Sequence, residues 1–596
     1  MRSSRRRFLQ LVPLGCATTL LAACTPAPAV PAPAPTSPAV APAPTAAPTS
    51  APASAAAKPT APPPTVAPTS APPTATPAKT SVLPSYVPLA SKPKADYPSK
   101  GELYEDGYIK YPANPAKATP PDAPGQGSTV TVFVDGLYSP PTPLEQNPAW
   151  QAINKQLNAN VQFNIVPPAD YAPKLATLMA GGDYPDLISL FGGLNAAPNL
   201  PNFLQQAAAD LTPFLSGDPV KAYPNLAALP TFAWRNAGSV IGGHLWTVPI
   251  SRPSIASLMI KNSTVWDQEV GQDYAPKNAD DFKRVLQQLT NPSANRWAIG
   301  TFQAALSGPF EIAWFASLFG APNNWRLERS GKLVKDYETP EFKEAVGYVR
   351  DLIGAGVFYP DSLTTTSPPA AMTNMVSGKC VLSVRSLGLD WTDGYQQGQR
   401  LTPPQTFGFM RHFAAHDGAK PVFFLGTGYG ASTMLKKASS DRIKELLGIL
   451  NWTAAPFGSQ EDLLLTYGIE GTDYTLDASG NPVTTDAWMG DAYNAPWRYM
   501  SQHHQVMYNA NYPEFTKLVA DAEAALIPIG VSDATLGYYS PTNNAKGVRL
   551  RLSFNDGLLE VLQGRRGLGE LDQLVSDWQN NGGEDIRNEY LAAIAG

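Results

Sequence analysis

Cys24 is the side chain whose surroundings most directly predict covalent chemistry. It follows Leu21-Ala22-Ala23 at the end of an uncharged stretch from Phe8 to Ala23, with Arg2, Arg5, Arg6 and Arg7 before that stretch. A basic start, a short apolar core and a small-residue cleavage site make a secretory leader. Leu21-Ala22-Ala23-Cys24 resembles a bacterial lipobox, a resemblance that implies cleavage before Cys24 and lipid on its thiol. The apolar core is too short for a permanent spanning helix, which needs about 20 residues. Elsewhere the motifs of bond-breaking chemistry are missing. There is no GxSxG elbow, Gly378-Lys379 lacks the upstream glycine and the following Ser/Thr of a phosphate loop, and Gly426-Thr427-Gly428-Tyr429-Gly430 does not fit GxGxxG. His503 and His504 are adjacent rather than four apart and read as a solvated pair, while His412 and His416 have helical spacing but no third ligand in view. Two carboxylates can always meet in space, but nothing in the order of residues selects a pair.

The residues on either side of the cleavage site agree with export. Ser4-Arg5-Arg6-Arg7-Phe8-Leu9-Gln10 resembles the twin-arginine export consensus, with Gln where Lys is common. From Thr25 to Thr80 the chain is almost wholly Pro, Ala, Thr, Ser and Val, without an aromatic or an acid, and only Lys58 and Lys79 are charged. Such a segment cannot bury enough apolar area to offset its ordering entropy. Its prolines favour an extended stalk of up to roughly 170 Å at about 3.1 Å per residue. Residues 81–127 are a transition in which Tyr and Lys appear while Pro stays frequent, so the disordered stalk is expected over 25–127. Cys16 leaves with the leader and Cys24 takes lipid. Cys380 is then without a partner, and stability must come from core burial rather than disulfides. The formal charge is −5, and removal of the four leader arginines leaves −9. Scattered charge of this sign argues against a nucleic-acid partner.

The elements that must position any site begin at Ser128. All 12 Trp lie at or beyond Trp150, and some 470 residues exceed a single core and imply more than one lobe. Thr129–Val134 reads as a strand, Pro148–Leu157 as a helix, Val161–Val166 as a strand, Tyr171–Ala180 as a helix stopped by Gly181-Gly182, and Asp186–Phe191 as a third strand ending in Gly192-Gly193. This β-α-β-α-β order predicts an α/β fold with a parallel sheet whose ligand lies beyond the carboxyl ends of the strands. The loops after Val134 and Phe191 are therefore pocket candidates. Ser189–Gly193 is the better one, because glycines permit close backbone approach.

A family resemblance accumulates along this body. Ala180–Leu187 (AGGDYPDL), Gly243–Pro249 (GHLWTVP), Ile255–Asn262 with Val265-Trp266 and Asp280-Asp281-Phe282, Thr339–Val357, Met375–Val381, Tyr467–Tyr474 with Asp477 and Gly480, and Trp578 with Gly582-Gly583, Ile586-Arg587 and Glu589-Tyr590 follow one another in order. Together they resemble the lipoprotein, carbohydrate-type branch of the family 1 extracellular solute-binding proteins of ABC importers. The resemblance implies a two-lobe periplasmic-binding-protein-like fold of type II with a central ligand cleft and hinge closure. It places a first crossover near Ser251–Ser257 and the return near Val422–Gly430. The expected division is leader 1–24, stalk 25–127, first lobe 128–251, second lobe 252–426, first-lobe return 427–475, and second-lobe remainder 476–596. It implies a monomer on the outer face of the cell membrane, held through Cys24. The receptor would capture a carbohydrate, most simply an oligosaccharide, for ABC permease subunits, without a cofactor. Some relatives carry a calcium loop where this chain reads Thr290–Trp297, which contains no carboxylate, so no metal is expected.

A sugar offers hydroxyls around a rim and C–H faces above and below, so its site needs flat aromatics and planar polar groups. Unpaired polar groups cost about 1–3 kcal/mol each when buried. On the cleft-facing loops implied by the resemblance, the candidates are Phe191, Gly192, Gly193, Arg252, Trp314, Arg385, Trp391, Tyr429, Trp488, Asp491 and Trp497. Core packing is the alternative for each Trp, and interlobe salt bridges are the alternative for Arg252 and Arg385. Trp150, Trp266, Trp452 and Trp578 sit in helical periodicity and are expected in the core. A surface carbohydrate-active enzyme, a peptide receptor and a sensory receptor on the same stalk remain open readings. Replacing Cys24 with Ser is expected to release the protein from membranes into the soluble fraction. Retention in the membrane pellet would remove the lipid-anchor reading.

Overall fold

In a computed structural model of the chain, the described residues are 82–595 apart from 90–91, 137–138, 273, 303–310 and 365–367. The leader, Cys24 and the stalk up to residue 81 lie outside them. Among the described residues no helix is long and apolar enough to cross a membrane.

Two sheets organise the body. The first lobe holds β1 (Thr129–Asp135), β2 (Asn160–Val166), β3 (Leu187–Phe191) and β4 (Thr247–Ser251). The second lobe holds β5 (Ser257–Asn262), β6 (Trp297–Ile299), β7 (Cys380–Ser386) and β8 (Phe407–Phe409), after which the chain returns to the first sheet as β9 (Tyr429–Leu435). The orders are β2-β1-β3-β9-β4 and β8-β5-β7-β6. β1 pairs parallel with β2 and β3, as the β-α-β-α-β spacing requires, while β9 runs antiparallel between β3 and β4. β1 is a Val/Phe run because it is central and covered on both faces. The helix Pro148–Leu157 starts where the Asn147 side chain accepts from Trp150 N at 2.8 Å, and it buries Trp150, Ile153 and Leu157 against that sheet.

The crossovers are short. Ser251 ends β4 and Ser257 opens β5, so a fully extended link spans at most about 20 Å. Arg252 N donates to Gly428 O at 3.0 Å and Gly426 N to Ser254 O at 2.7 Å, so the outgoing and returning segments are bonded to each other. A third segment joins them, with Phe423–Phe424 pairing with Gly530–Val531. In the second sheet Ser257 stands opposite Ser386. The carboxyl edge of each sheet therefore faces the crossovers.

Two sequence-derived boundaries move. Residues from 82 onward are packed rather than part of the stalk. Leu83 and Val87 lie against the first-lobe core, and Gly107–Tyr108 pair in parallel with Met507–Tyr508. Tyr108 and Tyr111 join Phe457 and Tyr508 in an aromatic cluster. The backbone N–H groups of Ala118 and Thr119 donate to Glu461. The apolar and aromatic residues set among the prolines supply the area that the Thr25–Thr80 segment lacks. The first-lobe return likewise continues past 475. Trp497 packs on Trp150 and Phe163 with ring centroids 6.2 and 5.0 Å apart, and Thr433 Oγ1 donates to Met500 O at 2.6 Å. His503 and His504 are half-buried and hydrogen-bonded rather than a freely solvated pair, with His503 Nε2 3.3 Å from Asp462 and His504 Nδ1 2.9 Å from Ser251 Oγ.

The packed N-terminal segment carries a pH consequence. Glu105 N donates to both carboxylate oxygens of Glu523 at 3.3 and 3.1 Å, and both residues are buried. Burial raises both carboxyls; their mutual repulsion, with Asp106 nearby, adds to the rise at Glu523, while His503 acts against it at Glu105. A carboxyl whose pKa is higher in the folded state favours folding while protonated and loses that contribution as pH rises. The melting temperature is therefore expected to fall as pH rises from about 5 through neutrality, and Glu523→Gln to flatten that slope. A wild-type profile without the slope would contradict this assignment.

Candidate functional site

Four cavities adjoin one another along the facing edges of the two lobes. The largest, about 400 Å³, lies beside the crossovers Ala256–Ser257 and Leu425–Gly426, with Trp314, Tyr337, Phe424 and Phe554 as its aromatic walls. It shares Asn324, Lys335, Tyr337 and Arg551 with a cavity of about 320 Å³ that reaches Trp325, Trp578 and Tyr590. That one shares Asn195, Asn324, Asn543 and Tyr590 with a third, of about 140 Å³, which is open to Tyr429 and Asp533. Asn236, Asp533 and Tyr538 connect it to a fourth, of about 350 Å³, near Phe232 and Arg235. The result is one groove with Leu194, Asn195, Asn236 and Tyr429 on the first lobe and the other walls largely from the second.

The first-lobe wall is built by the loop after β3. Gly192 and Gly193 have φ of +83° and +58°, and a β-carbon on Gly193 would stand 3.0 Å from the Tyr429 hydroxyl oxygen. Glycine at this position lets the Tyr429 ring approach the turn closely and lets the chain bring Asn195 into the groove. The second-lobe wall is built by a hairpin, Trp325–Leu327 with Leu333–Lys335, entered through Asn323-Asn324. Asn324 takes a left-handed backbone (φ +58°), which Asn tolerates better than most side chains. Its Nδ2 donates to Asp533 Oδ2 at 2.6 Å, while Thr535 N and Oγ1 both donate to Asp533 Oδ1 at 2.8 Å. Asn323 Nδ2 donates to Leu425 O at 2.8 Å and Val531 O at 2.9 Å, tying the same turn to the crossover segments. Burial raises the Asp533 carboxyl, against the Asn324 and Thr535 hydrogen bonds and the charge of Lys335.

Aromatic faces and matched charges dominate the middle of the groove. Tyr337 and Phe554 stack with centroids 4.1 Å apart, and Trp325 lies 5.8 Å from Trp578. The Lys335 ammonium sits 3.9 Å from the Tyr337 ring centre and is ion-paired with Asp336. Arg587 lies 5.4 Å from the Trp325 ring and is held by Glu338 and Glu584. Asn543 Nδ2 donates to the Tyr590 hydroxyl oxygen at 3.0 Å. Among the described residues no group of three or more His, Cys, Asp or Glu gathers as a metal site. The groove offers stacking faces, amides and hydroxyls.

The structure places the sequence candidates in three settings. Tyr429 lines the groove, Gly192-Gly193 shape the turn that enters it, and Trp314 borders it from the second-lobe core, where it is 5% exposed and packed on Phe282, Phe315 and Phe413. Phe191 is half-buried against Tyr499 at 5.1 Å, and Arg252 Nη1 donates to Gln502 Oε1 at 3.0 Å and to Ser251 O, so both sit at the carboxyl edge as structural contacts. Arg385 is buried with its guanidinium 4.9 Å from the Phe302 ring. Nearby Glu311 is pushed up to about 7 by burial, with Arg385 pulling the other way. The others lie away from the groove. Trp391 is fully buried and donates to Phe407 O at 2.8 Å, and Trp497 is core. The Trp488 indole donates to Thr466 O at 2.8 Å, and the Asp491 backbone oxygen accepts from Asn147. Trp150, Trp266, Trp452 and Trp578 are buried as expected, Trp578 also forming part of the groove wall. Sequence reasoning missed Asn195, Asn324, Trp325, Lys335, Tyr337 and Asn543. The one available signal was Pro322-Asn323-Asn324-Trp325, a turn sequence delivering an aromatic.

Residues 140–452, more than half of the chain, match the sequence profile of the bacterial extracellular solute-binding proteins. The chain belongs to that family. Curated relatives include Lipoprotein LipO of Bacillus subtilis (strain 168), 24% identical over 369 residues that cover 59% of this chain and 69% of the relative. The polygalacturonan/rhamnogalacturonan-binding protein YtcQ of the same organism is 21% identical over 477 residues, covering 77% of this chain and 90% of the relative. Among solved structures, an HMO-binding, ABC-transporter-associated solute-binding protein from Bifidobacterium longum infantis superposes with a TM-score of 0.57 at 13% identity, covering 78% of this chain and 98% of that one. This likeness confirms the two-lobe α/β fold of the family.

Two tryptophans separate site from core. Trp314→Ala is expected to weaken solute binding by about 1–3 kcal/mol, as for an aromatic lining an interface. Trp391→Ala is expected to cost about 3–5 kcal/mol of unfolding free energy through the cavity it leaves, with the affinity of the folded fraction unchanged. Denaturant melts and calorimetric titrations on both variants distinguish the two roles, and unaltered affinity in Trp314→Ala would remove Trp314 from the site.

Proposed function

We propose that this solute-binding protein captures an oligosaccharide outside the cell and delivers it to an ABC permease, held at the membrane through lipid on Cys24. The observation that carries the reading is the interlobe groove, with its aromatic faces, asparagine amides and connected length. Three of its four cavities measure about 320, 350 and 400 Å³. Each alone reaches the range of a small-molecule pocket, about 300–1,000 Å³, and in series they suit a chain of sugar units better than a monosaccharide. The names of the relatives support this reading, one for polygalacturonan and rhamnogalacturonan and one for HMO and an ABC transporter. The receptor breaks no bond. Ligand stabilises the closed lobes by its differential affinity for them, and the permease recognises that state.

A thermal-shift screen of the full-length chain against mono- and oligosaccharides, with peptides as controls, tests this. Saturating ligand at about a hundredfold excess over Kd adds about 2.7 kcal/mol to stability. An oligosaccharide that raises the melting temperature and is recovered intact fits the reading. A response to peptides alone, or recovery of a cleaved sugar, would replace it with a peptide receptor or an enzyme.

A further inference from the structure

We propose that the groove selects uncharged oligosaccharides over those containing uronic acids, and that Asp533, braced by Asn324, sets this preference. The inference rests on the carbohydrate reading and adds the charge class of the ligand. A neutral sugar presents only hydroxyls and C–H faces, which amides and aromatic rings satisfy. A polyuronide presents a carboxylate on each unit, and each one that enters a groove shielded from water needs a cation to replace its hydration.

The buried cations at the groove are already committed. The Lys335 ammonium is ion-paired with Asp336 and covers the Tyr337 ring, and Arg587 is held by Glu338 and Glu584 behind Trp325. Arg235 and Arg551 are exposed, where water and salt weaken their attraction for a ligand carboxylate. The side chains facing the connected cavities include Asn195, Asn236, Asn324 and Asn543. At the wall shared by the third and fourth cavities stands a carboxylate, Asp533, fixed by hydrogen bonds from Asn324 and Thr535. A ligand carboxylate threading past it meets like charge, whereas a hydroxyl can donate to it. This assignment departs from the relative named for polygalacturonan, whose charge class does not carry over to the groove of this chain.

The test measures the affinities of the full-length chain, by calorimetry, for tetragalacturonate and for a panel of neutral tetrasaccharides of matched length. At least one neutral probe is expected to bind about tenfold or more tighter than tetragalacturonate. Asp533→Asn is expected to narrow that ratio several-fold, and so is raising the salt to about 0.5 M with the wild type. Tetragalacturonate binding as tightly as the best neutral probe would overturn the inference while leaving the carbohydrate reading intact. A folded Asp533→Asn variant with an unchanged ratio would remove Asp533 as the cause. If that variant does not fold, a ratio that does not respond to salt in the wild type does the same. Binding of neither class would overturn the carbohydrate reading, and this inference with it.

Discussion

The structure depends on how little chain separates the two sheets. Five residues link Ser251 to Ser257, and the return through Gly426–Gly428 is hydrogen-bonded to the outgoing segment at Arg252 and Ser254. Links this short keep the carboxyl edges of the sheets close. In an open α/β sheet those edges are where strand ends expose loops and side chains free of the ladder. Joining two such edges through bonded crossovers sets the groove between them. The third segment, Gly530–Val531, pairs with the return and is tied to it again by the Asn323 amide. The turn that lines the groove is thereby bonded to the crossover segments.

The N-terminal segment adds a second restraint. Residues 82–127 touch the first-lobe core, the second-lobe helix Pro513–Leu526 through Glu105 and Glu523, and the passage near Met507. Ser254 Oγ on the first crossover donates to Leu103 O at 2.7 Å. The chain that leads back toward Cys24 is therefore bonded to both lobes and to a crossover. Its hold is mostly burial of tyrosines and backbone pairing, with a carboxyl pair whose repulsion is relieved by keeping a proton.

The groove separates its two kinds of polar group. Apart from Asp533, which is held by hydrogen bonds from Asn324 and Thr535, the buried charges of its walls are paired, Lys335 with Asp336 and Arg587 with Glu338, which avoids the penalty of an isolated buried ion. Amides and hydroxyls face the cavities, where they can exchange water for ligand at small net cost. Stacked rings such as Tyr337 on Phe554 stiffen the walls and present flat surface with few rotamers to freeze.

Period and punctuation determined the local order of this protein. The strands Thr129–Asp135, Asn160–Val166 and Leu187–Phe191 and the helices between them follow from β-branched runs, 3.6-residue spacing and paired glycines, all interactions among neighbours in the chain. The signals for an export leader at Cys24 are equally local, and the motifs from Ala180 to Val381 that resemble the solute-binding family fall within the residues matched by the profile, 140–452, while those at Tyr467 and Trp578 lie beyond it. Tertiary structure decided which aromatics are core and which are wall. Trp391 and Trp314 are both buried, and only the arrangement of strands and helices sets one against Phe515 and the other beside a cavity. It also moved residues 82–127 onto the body and brought Asn195, Asn324, Asp533 and Asn543 together. They come from three stretches far apart in the chain, around 195, 324 and 533–543. Their meeting depends on the crossovers and on long-range packing, which no window of neighbouring residues encodes.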